Sequence, residues 1–167
     1  GAAAVAYSLG ITLPTIRRGL ESVKPYSMRM QLESWRGIGI INDAYNANPA
    51  SMLAAIQTLA QISSHGERIA VLGDMFELGN QSQREHLRLG NQLAQARLDR
   101  AYLLGKRAPD VRKAALRGGM KPDQVIVGES HSDIGQRLRS HLKKGDWLLI
   151  KGSRGMKMET VLSELKG

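Results

Sequence analysis

The sequence predicts an α/β domain: a doubly wound, mostly parallel Rossmann-like sheet with helices on both faces and one antiparallel edge hairpin. Two observations carry this. Short apolar runs at residues 69–72, 102–104, 125–127 and 147–150 are almost free of polar interruptions, as strands covered on both faces are. Between them lie stretches whose apolar residues recur every three or four positions, the spacing of one helix face.

In chain order, residues 1 to about 25 read as two short helices. Thr12 and Pro14 mark the start of the second, because proline is tolerated in a first helical turn. Pro25 is expected to stop it. Residues 26–29 read as a linker. Runs at 30–35 and 38–41 follow, joined by Arg36-Gly37, which suits the tight turn of the edge hairpin. One helix stripe is Met52, Ile56, Leu59 and Ala60, and a second is Leu87, Gly90, Ala94 and Leu98. A shorter helix at 110–116 ends at Gly118-Gly119. Ile134, Leu138 and Leu142 form a third stripe, and Met158, Val161, Leu162 and Leu165 a fourth.

Composition narrows the function. The chain has 167 residues, enough for one domain with a sizeable core plus a short appendage. It has no cysteine, which removes disulfides and thiolate metal sites and fits a reducing cytoplasm. No apolar run approaches the roughly 20 residues that cross a bilayer. The chain starts without Met inside a helix-like Gly1-Ala2-Ala3-Ala4, as a piece of a longer protein would. Its formal net charge of +9 favours an anionic partner. The cations are dispersed, however, and only seven residues are aromatic, poor material for stacking nucleic-acid bases.

In a parallel sheet, ligands bind beyond the carboxyl ends of the strands. The residues following the runs there include Asp43, Asp74, Glu77, Lys151 and Arg154, expected on one rim. Lys151-Gly152-Ser153-Arg154-Gly155 places two cations, a hydroxyl and two glycines at a strand-to-helix junction, a composition suited to an anion. Bland readings stand beside these: Asn48 before Pro49 makes a helix N-cap, Asn42 and Asp43 an Asx turn, and Asp74 a solvated loop charge. No P-loop, G-x-G-x-x-G or G-x-S-x-G motif occurs, and the four histidines lack paired ligand spacing. His86 and His141 read as surface or rim residues.

Three motifs then stand out together. They are Asp43-Ala44-Tyr45-Asn46-Ala47-Asn48-Pro49-Ala50-Ser51-Met52, Leu72-Gly73-Asp74-Met75-Phe76-Glu77-Leu78-Gly79 and Lys151-Gly152-Ser153-Arg154-Gly155-Met156. In kind and order they resemble the C-terminal domain of the Mur ligase family. They are most similar to the members that join D-alanyl-D-alanine to UDP-N-acetylmuramoyl-tripeptide in peptidoglycan synthesis. The resemblance implies residues 1–25 as the tail of a central ATPase domain and 26–167 as the C-terminal domain. It also implies ATP and Mg²⁺, with phosphates and metal held by the central domain, so that this piece alone is inactive.

Residue by residue, the resemblance implies that Arg29 and Asp43 contact the nucleotide ribose. Tyr45, Asn46 and Asn48 would lie beside the nucleotide and the incoming dipeptide. Lys151, Ser153 and Arg154 would meet the dipeptide carboxylate, and Asp74 and Glu77 its ammonium group. No catalytic residue is assigned within the chain. Two alternatives remain: another Mur-type amino-acid ligase, and a basic α/β module that binds RNA or DNA.

Overall fold

The structure, a computed structural model, describes residues 1–23 and 26–167. Two short helices come first, α1 (Ala2–Ser8) and α2 (Leu13–Glu21). Thr12 occupies the N-cap position of α2 and Pro14 its first turn, as the sequence indicates. Pro25, expected to end that helix, lies outside the described residues. Neither helix buries a residue, and Val5, Tyr7, Leu9, Leu13 and Leu20 are exposed.

The rest forms a three-layer α/β unit. Its strands are β1 (Gln31–Trp35), β2 (Ile38–Asp43), β3 (Arg68–Gly73), β4 (Arg100–Leu104), β5 (Val125–Val127) and β6 (Trp147–Lys151). The helices are α3 (Pro49–Gln61), α4 (Ser82–Ala96), α5 (Ala108–Arg117), α6 (His131–His141) and α7 (Glu159–Lys166). The sheet order is β1-β2-β6-β3-β4-β5, with β1 antiparallel to β2 and every other pair parallel. In the β1–β2 turn, Arg36 and Gly37 both have positive φ, 50° and 79°, the backbone that a twisted two-residue hairpin requires.

Both sheet faces are covered, which explains the uninterrupted apolar runs. On one face Ile41, Leu72, Leu103 and Leu149 meet Met52, Ile56 and Leu59 of α3, Leu89 and Leu93 of α4 and Val111 of α5. On the other, Ile40, Val71, Leu104 and Ile150 meet Ile134 and Leu138 of α6 and Val161 and Leu165 of α7. Each such side chain, fully buried, contributes about 1.5–3 kcal/mol of transfer free energy.

Three expectations change. The buried face of α4 is Glu85, His86, Leu89, Gly90 and Leu93, not the Leu87–Ala94 stripe. The helix stops at Ala96 because Arg97 takes a left-handed conformation, so Leu98 is buried beyond it. Strand β5 is a sheet edge and only half covered, with Ile126 and Val127 partly exposed.

Candidate functional site

Every βα loop leaves the sheet at one edge, and two adjoining clefts lie among them. The first, about 390 Å³, is lined by Arg29, Asp43, Tyr45, Asn46, Asn48 and Lys151. The second, about 470 Å³, shares Tyr45, Asn46 and Asn48 and adds Glu77, Ser153 and Arg154. The segment from Tyr45 to Asn48 is therefore a common wall.

That wall is rigidly built. The side-chain oxygen of Asn42 accepts the N–H of Ala44 at 3.4 Å, an Asx-type turn at the end of β2, and that of Asn46 accepts the N–H of Ala47 at 2.8 Å. Asn48 caps α3. Its side chain accepts the Ser51 N–H at 2.9 Å, and the Ser51 hydroxyl accepts the Asn48 N–H at 3.1 Å, a reciprocal box followed by Pro49 at the first helical position. The N–H of Tyr45 donates to the carbonyl of Met28 at 3.0 Å, drawing the segment around Arg29 alongside. The Arg29 guanidinium then lies over the Tyr45 ring, 4.2 Å from its centre.

Asp43 is nearly enclosed. One carboxylate oxygen accepts the N–H of Met30 at 2.9 Å, and the other pairs with the Lys151 ammonium at 2.5 Å. Lys151, 2% exposed, also donates to the carbonyl of Asn46 at 2.9 Å. It thus belongs to the wall of the first cleft. The strand register sets Lys151 against Asp43, so the ammonium group expected at the rim is engaged within the chain.

The second cleft is more open. Glu77 and Phe76 are exposed at its rim, and Glu77 has φ 62°. Arg154 is half exposed and its guanidinium pairs with Glu159 at 2.7 Å. Ser153 is buried: its hydroxyl accepts the Phe76 N–H at 2.8 Å and donates to the Ala47 carbonyl at 3.4 Å, joining three loops. Its own N–H donates to the Asp74 carbonyl at 3.0 Å, so this part of the expected anion cradle is internally satisfied.

Asp74 does not reach the rim. Both its oxygens accept the N–H of Arg107, at 3.1 and 3.3 Å, which ties the β3–α4 loop to the β4–α5 loop. Gly105, at φ 124°, makes room: a Cβ there would lie 2.5 Å from the Asp74 carboxyl carbon. His86, expected at the surface, is 1% exposed behind this loop. Its Nε2 accepts the Met75 N–H at 3.0 Å, so Nδ1 carries the hydrogen toward the Ser82 carbonyl at 2.7 Å. His141 is half-buried and meets Glu67 at 2.7 Å, on the opposite edge of the sheet.

Phe76 was missed at the sequence level. An aromatic among loop residues carries no periodic signal, and its position follows only from its packing on Gly155, where a Cβ would lie 2.8 Å from the ring. Behind the first cleft, the hydrogen bond from Lys166 holds the Glu33 carboxyl below its ordinary value against the opposing effect of burial. Asn42 donates to the same carboxyl at 3.1 Å.

Among the described residues no group of three or more His, Asp, Glu or Cys side chains could hold a metal ion. The Mg²⁺ that the resemblance implies therefore has no matching donor set among the described residues. Nor is any helix among them long and apolar enough to cross a membrane.

Residues 28–154 match the family described as Mur ligase, glutamate ligase domain. Over 164 residues the chain is 38% identical to UDP-N-acetylmuramoyl-tripeptide–D-alanyl-D-alanine ligase of Bacillus subtilis (strain 168), covering 98% of this chain and 35% of that protein. It is 33% identical to the enzyme of the same name from Escherichia coli (strain K12), covering 99% and 35%. Among solved structures, MurF ligase of Thermotoga maritima in complex with ADP superposes with a TM-score of 0.79 at 29% identity, over 98% of this chain and 35% of that one. MurF of Acinetobacter baumannii gives 0.82 at 32% identity, over 96% and 35%. The chain spans about a third of the length of these relatives. The motifs at the carboxyl ends of β2, β3 and β6, the six-stranded sheet and the match over residues 28–154 agree: this chain belongs to the Mur ligase family.

Proposed function

We propose that this chain is the C-terminal domain of an ATP-dependent ligase that joins D-alanyl-D-alanine to UDP-N-acetylmuramoyl-tripeptide in peptidoglycan synthesis. The observation that carries this reading is the pair of clefts with one shared wall: a ligation needs its nucleotide and its amine held side by side. Residues 26–167 form the domain proper, and residues 1–25 are the tail of a central ATPase domain. A hinge at residues 26–29 lets the two close on each other.

The first cleft takes the nucleoside. A carboxylate accepts from both vicinal hydroxyls of a ribose, and Asp43 has lone pairs left after Met30 and Lys151. Arg29 and Tyr45 form one side, with Asn46 and Asn48 between nucleotide and acceptor. The second cleft suits a small zwitterion, with Arg154 for its carboxylate and Glu77 for its ammonium group. Ser153 and Asp74 shape that cleft from behind.

The γ-phosphoryl group of ATP passes to the terminal carboxylate of the tripeptide, giving an acyl phosphate and ADP. The amine of the dipeptide then attacks the acyl carbon, and phosphate leaves as the amide forms. Carboxylate activation is required because the free anion is a poor electrophile. The contribution of this domain is to hold the amine in line with the acyl phosphate.

The test is phosphate release by the longer chain that carries this domain, with ATP, Mg²⁺ and UDP-N-acetylmuramoyl-tripeptide, across a panel of amines. Release that requires D-alanyl-D-alanine is the expected result. Release with a single amino acid instead reassigns the second cleft to another Mur-type ligase. Release by residues 1–167 alone refutes the assignment of the phosphate chemistry to the rest of the chain.

A further inference from the structure

We infer that Lys151 is a positioning residue for the nucleotide cleft, acting on the ribose through Asp43, and not a contact of the acceptor. This deepens the nucleotide reading above and rests on it.

The inference starts from strand pairing. In the parallel β2–β6 ladder, Asp43 and Lys151 are register partners, so their side chains leave the sheet on the same side. Only 2% of the lysine side chain and 12% of the aspartate side chain are exposed. The ammonium group reaches Asp43 at 2.5 Å and the carbonyl of Asn46 at 2.9 Å. The second carboxylate oxygen of Asp43 accepts the N–H of Met30 at 2.9 Å.

One buried ion pair therefore ties together three parts of the cleft: the segment bearing Arg29, the loop bearing Tyr45 and Asn46, and the end of β6. A carboxylate swings about its χ angles unless something holds it, and each of its oxygens here has a fixed partner. Withdrawing Lys151 to serve a ligand would leave Asp43 buried and unpaired, a loss of the kind that makes breaking such pairs strongly unfavourable. The nucleotide meets a carboxylate whose direction has already been set.

The experiment uses the longer chain that carries this domain, with ATP and 2′,3′-dideoxy-ATP as paired probes. The unaltered enzyme is expected to prefer ATP, because the dideoxy nucleotide lacks the hydroxyls that Asp43 accepts from. Lys151→Met is expected to raise the KM for ATP about tenfold and to abolish that preference, with the KM for D-alanyl-D-alanine within twofold. Lys151→Arg is expected to restore part of the preference by keeping the charge.

A preference that survives in Lys151→Met overturns the inference. So does a raised dipeptide KM with an unchanged ATP KM. No preference in the unaltered enzyme overturns the ribose reading itself and the inference with it. If Lys151→Met does not fold, acetylation of the unaltered protein by an amine-reactive ester decides. Lys151 is expected to resist labelling without any ligand. Labelling in the free protein that dipeptide suppresses overturns the inference.

Discussion

The hydroxyl of Ser153 accepts the backbone N–H of Phe76 at 2.8 Å, across 77 residues of chain. Through it, the loop after β6 holds the loop after β3 at the angle that forms one side of the second cleft. Ser153→Ala leaves a part-buried N–H without its acceptor, a loss of about 1–3 kcal/mol. We expect a lowered urea midpoint and a raised KM for the acceptor amine, with the KM for ATP unchanged. An unchanged midpoint would show that water or another carbonyl replaces the hydroxyl at no cost.

Arg29 and Tyr45 make a separable pair. The guanidinium packs on the ring face, so the phenolic hydroxyl contributes nothing to that contact. Tyr45→Phe is expected to leave the KM for ATP within twofold. Tyr45→Ala is expected to raise it by about the 0.5–1 kcal/mol of an exposed cation–π contact. Arg29→Ala and Asp43→Ala should raise it further. Steady-state kinetics with ATP varied at saturating acceptor read all four. Arg154→Ala should instead raise the KM for D-alanyl-D-alanine.

Asn48 has two roles that substitution can divide. Asn48→Ser keeps an oxygen for the Ser51 N–H, so the cap survives while the reach into both clefts is shortened. Asn48→Ala removes both and is expected to cost about 1 kcal/mol through the lost cap. Equal thermal midpoints but unequal kinetics for Asn48→Ser and the unaltered protein would assign the side chain to ligand contact. Equal kinetics would assign it to the helix alone.

Glu33 and Lys166 pair at 2.7 Å, joining β1 to the last turn of α7. The folded carboxyl titrates below its ordinary value of 4.5, so the folded state binds the proton less readily than the unfolded chain. The resulting stability is present in full above about 4.5 and is lost as pH falls through the lowered folded value. Lys166→Met should lower the neutral plateau and leave the stability at the acid end nearly unchanged, which flattens the limb between them, read by chemical denaturation at a series of pH values.

Much of the fold was legible because a parallel sheet is buried on both faces, and its strands advertise themselves as apolar runs. The edge hairpin was legible from Arg36-Gly37. The capped start of α3 was legible because Asn48, Pro49 and Ser51 are local to one another. What could not be read depends on distant partners. Lys151 looks like a free cation beside two glycines, and only Asp43, 108 residues earlier, turns it inward. Asp74 looks like a rim acid until the backbone N–H of Arg107 takes up both its oxygens. His86 escaped because a polar residue on a core-facing helix position breaks the apolar stripe that identifies such a face.

Strand β6 pairs with β2 on one side and β3 on the other, although it comes after both in the chain. The two earlier strands never pair with each other, so the sheet has a gap at its centre until residues 147–151 arrive. Such non-local pairing slows folding, since loop-closure entropy must be met before contacts repay it. During synthesis at about 5–20 residues per second, Asp43 emerges roughly 5–20 seconds before the lysine that will neutralise it. Until then an uncapped carboxylate and the unpaired inner edges of β2 and β3 coexist. For this domain, assembly of the first cleft and completion of the fold are one event.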